Sequence, residues 1–193
     1  MLGRPTLLCA LIVALACGCG PSLKKAIVRD FEPRQVEEIV VLPAIDARID
    51  RSGEPDFDRQ MREITLSLLR LKGYGATSDF DHPRLHVVEE ELRDPTPQFI
   101  AGLGPPDARW VMVVTLVELL PWIPFVRPAQ AEVHGYMFDK KAGRLVWKDK
   151  GFADHSQGGR VVVASDDVHP ALTPALVHLI ASIPHHWGEK GGR

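Results

Sequence analysis

Apolar runs of two kinds alternate along this chain, and their order limits the folds open to it. The run Glu37–Asp46, EEIVVLPAID, is rich in β-branched residues and suits a buried strand, with Pro43 ending it or lying at its edge. Residues 55–72 follow a different rule. Phe57, Met61, Ile64, Leu68 and Leu71 recur at spacings of four and three, one stripe of an amphipathic helix. Pro55 suits its first turn, Arg70 and Lys72 close it, and Gly73 supplies the stop. GYGATSDF then reads as a short strand, residues 82–92 as a short helix with Pro83 near its start, and TPQFIAGLG as a further helical turn. Ala108–Leu120 is a long strand. AQAEVHGYMFD and GRLVWKDKGFADH form a hairpin around KKAG. Thr173 as N-cap and Pro174 at the first helical position open a last helix carrying Leu176, Leu179, Ile180 and Ile183. The order β-α-β-α-β-β-β-α predicts an α/β fold. A mixed, partly parallel sheet of about five strands carries helices and is extended by antiparallel strands.

The N-terminus reads as a targeting segment. Arg4 gives a positive start, and Leu7 to Ala16 is an unbroken apolar stretch followed by small residues. Ten apolar residues fall short of the roughly 20 that span a bilayer, so a secretory signal is expected over residues 1–18. All three cysteines of the chain, Cys9, Cys17 and Cys19, lie inside the first nineteen residues. Small residues directly before a Cys, after such an apolar stretch, resemble the lipobox of bacterial lipoproteins. In that class the Cys thiol receives a diacylglyceryl group, cleavage makes it the new N-terminus, and a further acyl chain such as palmitate is added. Cys19 is the expected anchor and Cys17 the alternative. Leu15 and Ala16 close the apolar run just upstream of Cys19, and Gly-Cys-Gly leads into a polar segment. No Asp follows either Cys, which by the same resemblance favours the outer membrane. Several acyl chains give stable anchoring where one is marginal.

Residues 19–36 are expected to act as a tether, 37–187 to form one domain, and 188–193 a charged, glycine-rich tail. At 193 residues and 25% charged the chain is of ordinary globular usage. Formal net charge is −2, and no basic run exceeds two residues. Nucleic-acid binding therefore has no electrostatic footprint here.

Four segments in order resemble a family of small bacterial lipoproteins typified by a neisserial surface lipoprotein antigen. They are IVVLPAID, LLRLKGYGA, DARWVMVVTL and FDKKAGRLVWKDKG, together spanning roughly residues 38–152. Trp147, following Gly143 and Leu145, is the most distinctive position. The chain differs in having Arg109 where that family has Asp, and in its proline-rich loop at 121–128. More broadly the layout is similar to the α/β domain shared by the curli-secretion lipoprotein, the N-terminal domain of the TolB periplasmic protein, and lipoprotein activators of peptidoglycan synthases. That resemblance implies a periplasm-facing interaction domain with no catalytic residues to carry over.

Motifs of phosphate binding, serine hydrolysis, zinc proteolysis and thiol redox chemistry are absent from the sequence. Asp154, His155 and Ser156 are adjacent, whereas a triad assembles from distant positions. His155, His169, His178, His185 and His186 with Asp166 and Asp167 lack the spacing of a metal site. Glu118 and Glu132 lie on strands that can approach each other, and one or both are expected to face solvent or to pair with Arg127 or Lys148. Neither a metal nor a cofactor is expected. LPWIPFVRP differs from these. Trp122, Ile123, Phe125 and Val126 lie between prolines that stiffen the segment, so it presents apolar groups at small entropic cost. Such a patch contacts a partner or a membrane when exposed, and caps the core when folded back. Trp147 is expected to anchor the hairpin and Trp187 to pack on the terminal helix.

These features predict a non-enzymatic, lipid-anchored interaction domain at the outer membrane, facing the periplasm. It would serve as an accessory or scaffold of envelope assembly, transport or secretion. The alternative is a lipid-anchored hydrolase or metal-dependent enzyme. The expected partners are the membrane, through the N-terminal lipid, and an envelope protein. Self-association into a homo-oligomer is compatible with both readings.

Overall fold

The structure is a computed structural model that describes residues 23–48, 57–79, 85, 87–121, 123, 125, 128–154 and 169–187. Its sheet contains β1 (Ala26–Ile27), β2 (Glu38–Val41), β3 (Ile45–Asp46), β4 (Gly75–Thr77), β5 (Trp110–Leu120), β6 (Gln130–Asp139) and β7 (Arg144–Asp154). The helices are α1 (Asp58–Leu71), α2 (Glu89–Arg93), α3 (Pro97–Ala101) and α4 (Leu172–Ala181). Seven strands among the described residues exceed the roughly five expected. Both additional strands are two residues long and exist through their partners. β1 pairs antiparallel with β7 at Ala26–Lys148 and Ile27–Trp147. β3 continues the line of β2 after Pro43, which has no N–H to give the ladder, and pairs parallel with β5.

The strand order is β1-β7-β6-β5-β2-β4, with β3 joined to β5. β2, β4 and β5 are parallel, and β5, β6 and β7 form an antiparallel meander. The mixed α/β architecture is thus the expected one. Residues 23–36, read from the sequence as tether, are built into the domain: Leu23 is buried, β1 joins the sheet, and Val36 is in the core.

Alternation along β6 divides the core in two. Ala131, Val133 and Met137 face α1 and α4 together with Trp147, Leu176 and Leu179. Tyr136 and Phe138 face the other way, toward Leu92 of α2, Ile100 of α3, Leu42 and Leu23. Trp147 is fully buried, with its indole N–H donating to Ser182 Oγ at 3.2 Å, the anchoring role expected of it. α4 rides so close to β7 that a Cβ at Gly151 would collide with the Ala175 carbonyl.

Two helix expectations are corrected. The buried stripe of α1 is Met61, Thr65, Leu66 and Leu69 together with Arg62, whereas Leu71 is 78% exposed. Arg62 can be buried because its guanidinium bonds Asp58 at 2.5 Å and the Asp79 carbonyl at 2.8 Å. At α4 the helix starts one residue before the expected cap, at Leu172, and the Thr173 hydroxyl makes no capping bond. The helix expected over 82–92 is observed as the short α2, and the turn at TPQFIAGLG is α3, capped by Thr96 Oγ1 at 3.2 Å from the Phe99 N–H.

Candidate functional site

β6 presents Glu132, His134 and Tyr136 on one face, at alternate positions. His134 is 3% exposed. Its Nδ1 bonds Glu89 of α2, and its Nε2 bonds Glu132 Oε1 at 2.8 Å. Glu89 Oε1 also accepts from the Tyr136 hydroxyl at 2.7 Å and from Arg93 at 3.0 Å. Burial by itself would raise the Glu89 carboxyl. The bonds from His134 and Tyr136, the His134 charge and the Arg93 bond outweigh it and hold the group down at about 2. Burial, followed by the Glu89 carboxylate, pushes the Tyr136 phenol up.

An imidazole between two carboxylates has the parts of a proton relay. Here both ring nitrogens are engaged, and only the imidazolium donates from both. No ring nitrogen is left to receive a substrate proton. The cluster joins α2 to the middle of the sheet and ends at Glu132, near Lys150 Nζ at 3.9 Å. Sequence reading did not single out Glu89, His134 or Tyr136. The available signal was the recurrence of polar side chains at every second position of an otherwise apolar strand.

Toward the far end of the same face, side chains are more accessible. Glu118 is cross-strand partner to Glu132 beyond an irregularity after Leu116, so the two residues are neighbours across the strands. Glu118 is exposed, while Glu132 takes His134 and Lys150 as neighbours rather than Lys148. Phe152, opposite Glu132 on β7, is 37% exposed.

Beyond this end lies the proline-rich connection between β5 and β6. Ile123 is 39% exposed, and Phe125 projects fully into solvent. Phe125 has φ of 60°, a left-handed conformation that costs a non-glycine residue about 1–2 kcal/mol. The alternative in which these two side chains fold back onto the core is not the one observed. Trp122 and Val126 lie outside the described residues, as do Cys17, Cys19, Arg127, His155, Asp166 and Asp167.

Two histidines near the C-terminus, His169 and His178, bond main-chain carbonyls. His169 Nε2 meets the Leu120 carbonyl at 3.1 Å, tying the approach to α4 to the end of β5, and burial lowers its pKa. His178 Nδ1 meets the Phe152 carbonyl at 2.7 Å on β7. Trp187, expected on the terminal helix, lies instead with its ring over Gly73, leaving no room there for a Cβ, and is 58% exposed. Among the described residues, no group of three or more His, Cys, Asp or Glu is placed to hold a metal ion.

A cleft of about 420 Å³ opens where β2 and β5 begin, lined by Glu37, Glu38, Asp107 and Arg109 among others. Arg109 is not free to serve a ligand there. It bonds Asp139 through Nε at 3.2 Å and Nη2 at 3.0 Å and lies 4.6 Å from the Trp110 ring centroid. Asp139 in turn accepts from the Lys141 and Ala142 N–H groups and closes the β6–β7 turn. The arginine at a position where the resembling family has aspartate thus holds a turn.

No protein-family model and no curated protein sequence matches the chain. Several solved structures do. A PelC dodecamer from Paraburkholderia phytofirmans is 16% identical over 82% of this chain and 90% of that chain, with a TM-score of 0.46. Lipoprotein GNA1162 from Neisseria meningitidis is 15% identical over 64% of this chain and 87% of that one, at 0.41. The LpoB C-terminal domain from Salmonella enterica is 11% identical over 61% and 82%, at 0.32. The structural neighbours therefore include a neisserial lipoprotein, the type that the sequence segments resemble.

Proposed function

We propose that this chain is a non-enzymatic, lipid-anchored accessory domain of the cell envelope that docks a protein partner through the loop at 121–128. The carrying observation is Phe125, a large apolar side chain fully exposed on a residue held at φ of 60°. A strained residue persists where the surrounding structure over-determines it, and such strain clusters at binding sites. Phe152 and Glu118 extend the face along β7 and β5. The closed Glu89–His134–Glu132 cluster supports a binding role over an acid–base one. Acylation at Cys19, or at Cys17, and residence at the periplasmic side of the outer membrane are part of the same proposal, and rest on the N-terminal sequence.

A photo-crosslinking amino acid at Phe125 tests the docking face in intact cells, with Arg59 on the exposed face of α1 as the control position. A discrete adduct at 125 that is absent at 59 is expected. Equal labelling at both positions, or at neither, overturns it. Acylation is tested by lipid labelling of Cys17→Ser, Cys19→Ser and the double variant. Lipid retained by the double variant overturns the anchor.

A further inference from the structure

The buried cluster on β6 reaches the docking face at one end, and the two carboxylates beside His134 are held very differently. Glu89 accepts from three side chains: His134 through Nδ1, the Tyr136 hydroxyl at 2.7 Å and Arg93 Nη2 at 3.0 Å. Glu132 accepts from His134 Nε2 at 2.8 Å, and Lys150 Nζ, at 3.9 Å, is beyond hydrogen-bond distance. His134 is buried, while the Glu132 side chain is 24% exposed. The inner carboxylate is therefore fixed, and the outer one borders solvent.

Among the described residues, charged and titratable neighbours of the ring come from four elements. Glu89 and Arg93 lie on α2, and Glu132 and Tyr136 flank His134 on β6. On β7, Lys150 is paired with His134 and Lys148 with Tyr136. On β5, Thr115 is paired with His134 and brings no charge, and Glu118 is paired with Glu132. An imidazolium donates to both carboxylates, but a neutral imidazole has one N–H and one lone pair. A lone pair aimed at a carboxylate repels it, so loss of the proton breaks one of the two contacts. Imidazole is the side chain that changes charge between about pH 5 and 8. The Glu89 contact is the one kept, because Tyr136 and Arg93 hold that carboxylate in place. The Glu132 contact is the one lost, because that side chain borders solvent and Lys150. The departing proton passes from Nε2 by way of Glu132 to water and leaves the carboxylate ionised.

Glu132 adjoins the docking face. Its cross-strand partners are Glu118, which is exposed, and Phe152. We propose that His134 is a proton-operated latch on this face. As imidazolium it holds Glu132 against the sheet. On losing its proton it keeps Glu89 and lets Glu132 turn outward beside Glu118 and Phe152, so the charge that the face offers a partner changes with pH. This deepens the docking proposed above and rests on it for its consequence, not for its mechanism.

Long-range proton–nitrogen spectra of the full chain, with labelled histidine rings and glutamate carboxyls, test the latch between pH 5 and 9. Two ring N–H groups are expected at the acid end and an Nδ1–H ring at the alkaline end. The Glu132 carboxyl carbon should shift with the same midpoint as the ring, and the Glu89 carbon should move less. A ring that retains the Nε2 proton at the alkaline end, or keeps one protonation state throughout, overturns the proposal. Glu132→Gln leaves α2 and Glu89 untouched. It should keep the wild-type circular dichroism and lower the midpoint of the ring, and an unchanged midpoint also overturns the proposal. In intact cells, the adduct formed at Phe125 should differ in yield about twofold or more between pH 6 and pH 8. With Glu132→Gln added, the two yields should be equal. A yield that ignores pH in both chains overturns the link from latch to face. No adduct at either pH refutes the docking face itself, and the ring spectra then decide the latch alone.

Discussion

Glu89→Gln keeps the shape of a side chain that accepts from His134, Tyr136 and Arg93 and removes its charge. In the folded chain the carboxyl is held at about 2, against 4.5 for an ordinary one. At about 1.4 kcal/mol per pH unit, that difference is worth about 3 kcal/mol of stability near neutrality. A depressed carboxyl binds protons more readily in the unfolded chain, so its contribution grows as pH rises. It is complete above the unfolded value and is lost as pH falls from about 4.5 toward 2. Urea unfolding of the wild type and Glu89→Gln, followed by circular dichroism between pH 2.5 and 7, measures it. The expected gap is about 3 kcal/mol at pH 7, shrinking below about 1 kcal/mol at pH 2.5, with similar urea slopes. Asp139 is also held low, where the Arg109 and turn N–H bonds outweigh its burial, and it titrates in both chains. The difference between the two curves therefore cancels Asp139 and reads Glu89 together with the groups bonded to it. A gap that stays constant across the pH range would refute the assignment of that carboxylate as the focus of the cluster.

Trp147→Ala should cost about 3–5 kcal/mol in the same assay, since the ring is fully buried between β7 and α4; a loss under 1 kcal/mol contradicts that packing. Gly151→Ala brings a methyl against the Ala175 carbonyl and should destabilise by about 1–3 kcal/mol by displacing α4. Phe125→Ala should leave stability within about 0.5 kcal/mol, since alanine keeps the Cβ that makes φ of 60° costly, and Phe125→Gly should raise it by relieving the left-handed backbone. A loss above 1 kcal/mol in either variant would mean that Phe125 packs on the domain and is no docking residue.

The parts of the fold that were legible in the sequence carry their cause locally. Ala108–Leu120 and the KKAG hairpin are long enough for alternation and turn residues to define them, and β5, β6 and β7 follow. β1 and β3 are invisible at that level because two residues carry no period. Their existence depends on backbone groups offered by β7 and β5. For α1 the apolar spacing misphases the stripe, because it places Leu71 in the core and leaves Arg62 out. Arg62 becomes a core residue only once Asp58 and the Asp79 carbonyl are in reach, and the second of these is a tertiary partner. The exposed apolar groups divide in the same way. The apolar, proline-bounded segment around Ile123 and Phe125 stands out in the sequence, but the sequence is equally compatible with folding back, and only the structure shows these two side chains exposed. Exposure of Trp187 does not follow from its neighbours, because the ring is placed by Gly73, more than a hundred positions away.

The short lead into Leu23 changes what an N-terminal lipid would do for this domain. A tether of eighteen residues would leave the domain free to tumble beneath the bilayer, and either end of the sheet could meet lipid or protein. With the domain starting at Leu23, an anchor at Cys19 leaves about 14 Å of slack, less than half of the roughly 35 Å along β5 between the two ends of the sheet. An anchor that short would limit how far the residues around Leu23 can stand from the headgroups. Insertion of about twenty flexible residues between Cys19 and Leu23 should therefore leave membrane attachment intact, while a partner crosslink at Phe125 should lose yield as the domain no longer has a set height. A crosslink yield unchanged by the insertion would show that the shortness of the lead has no role.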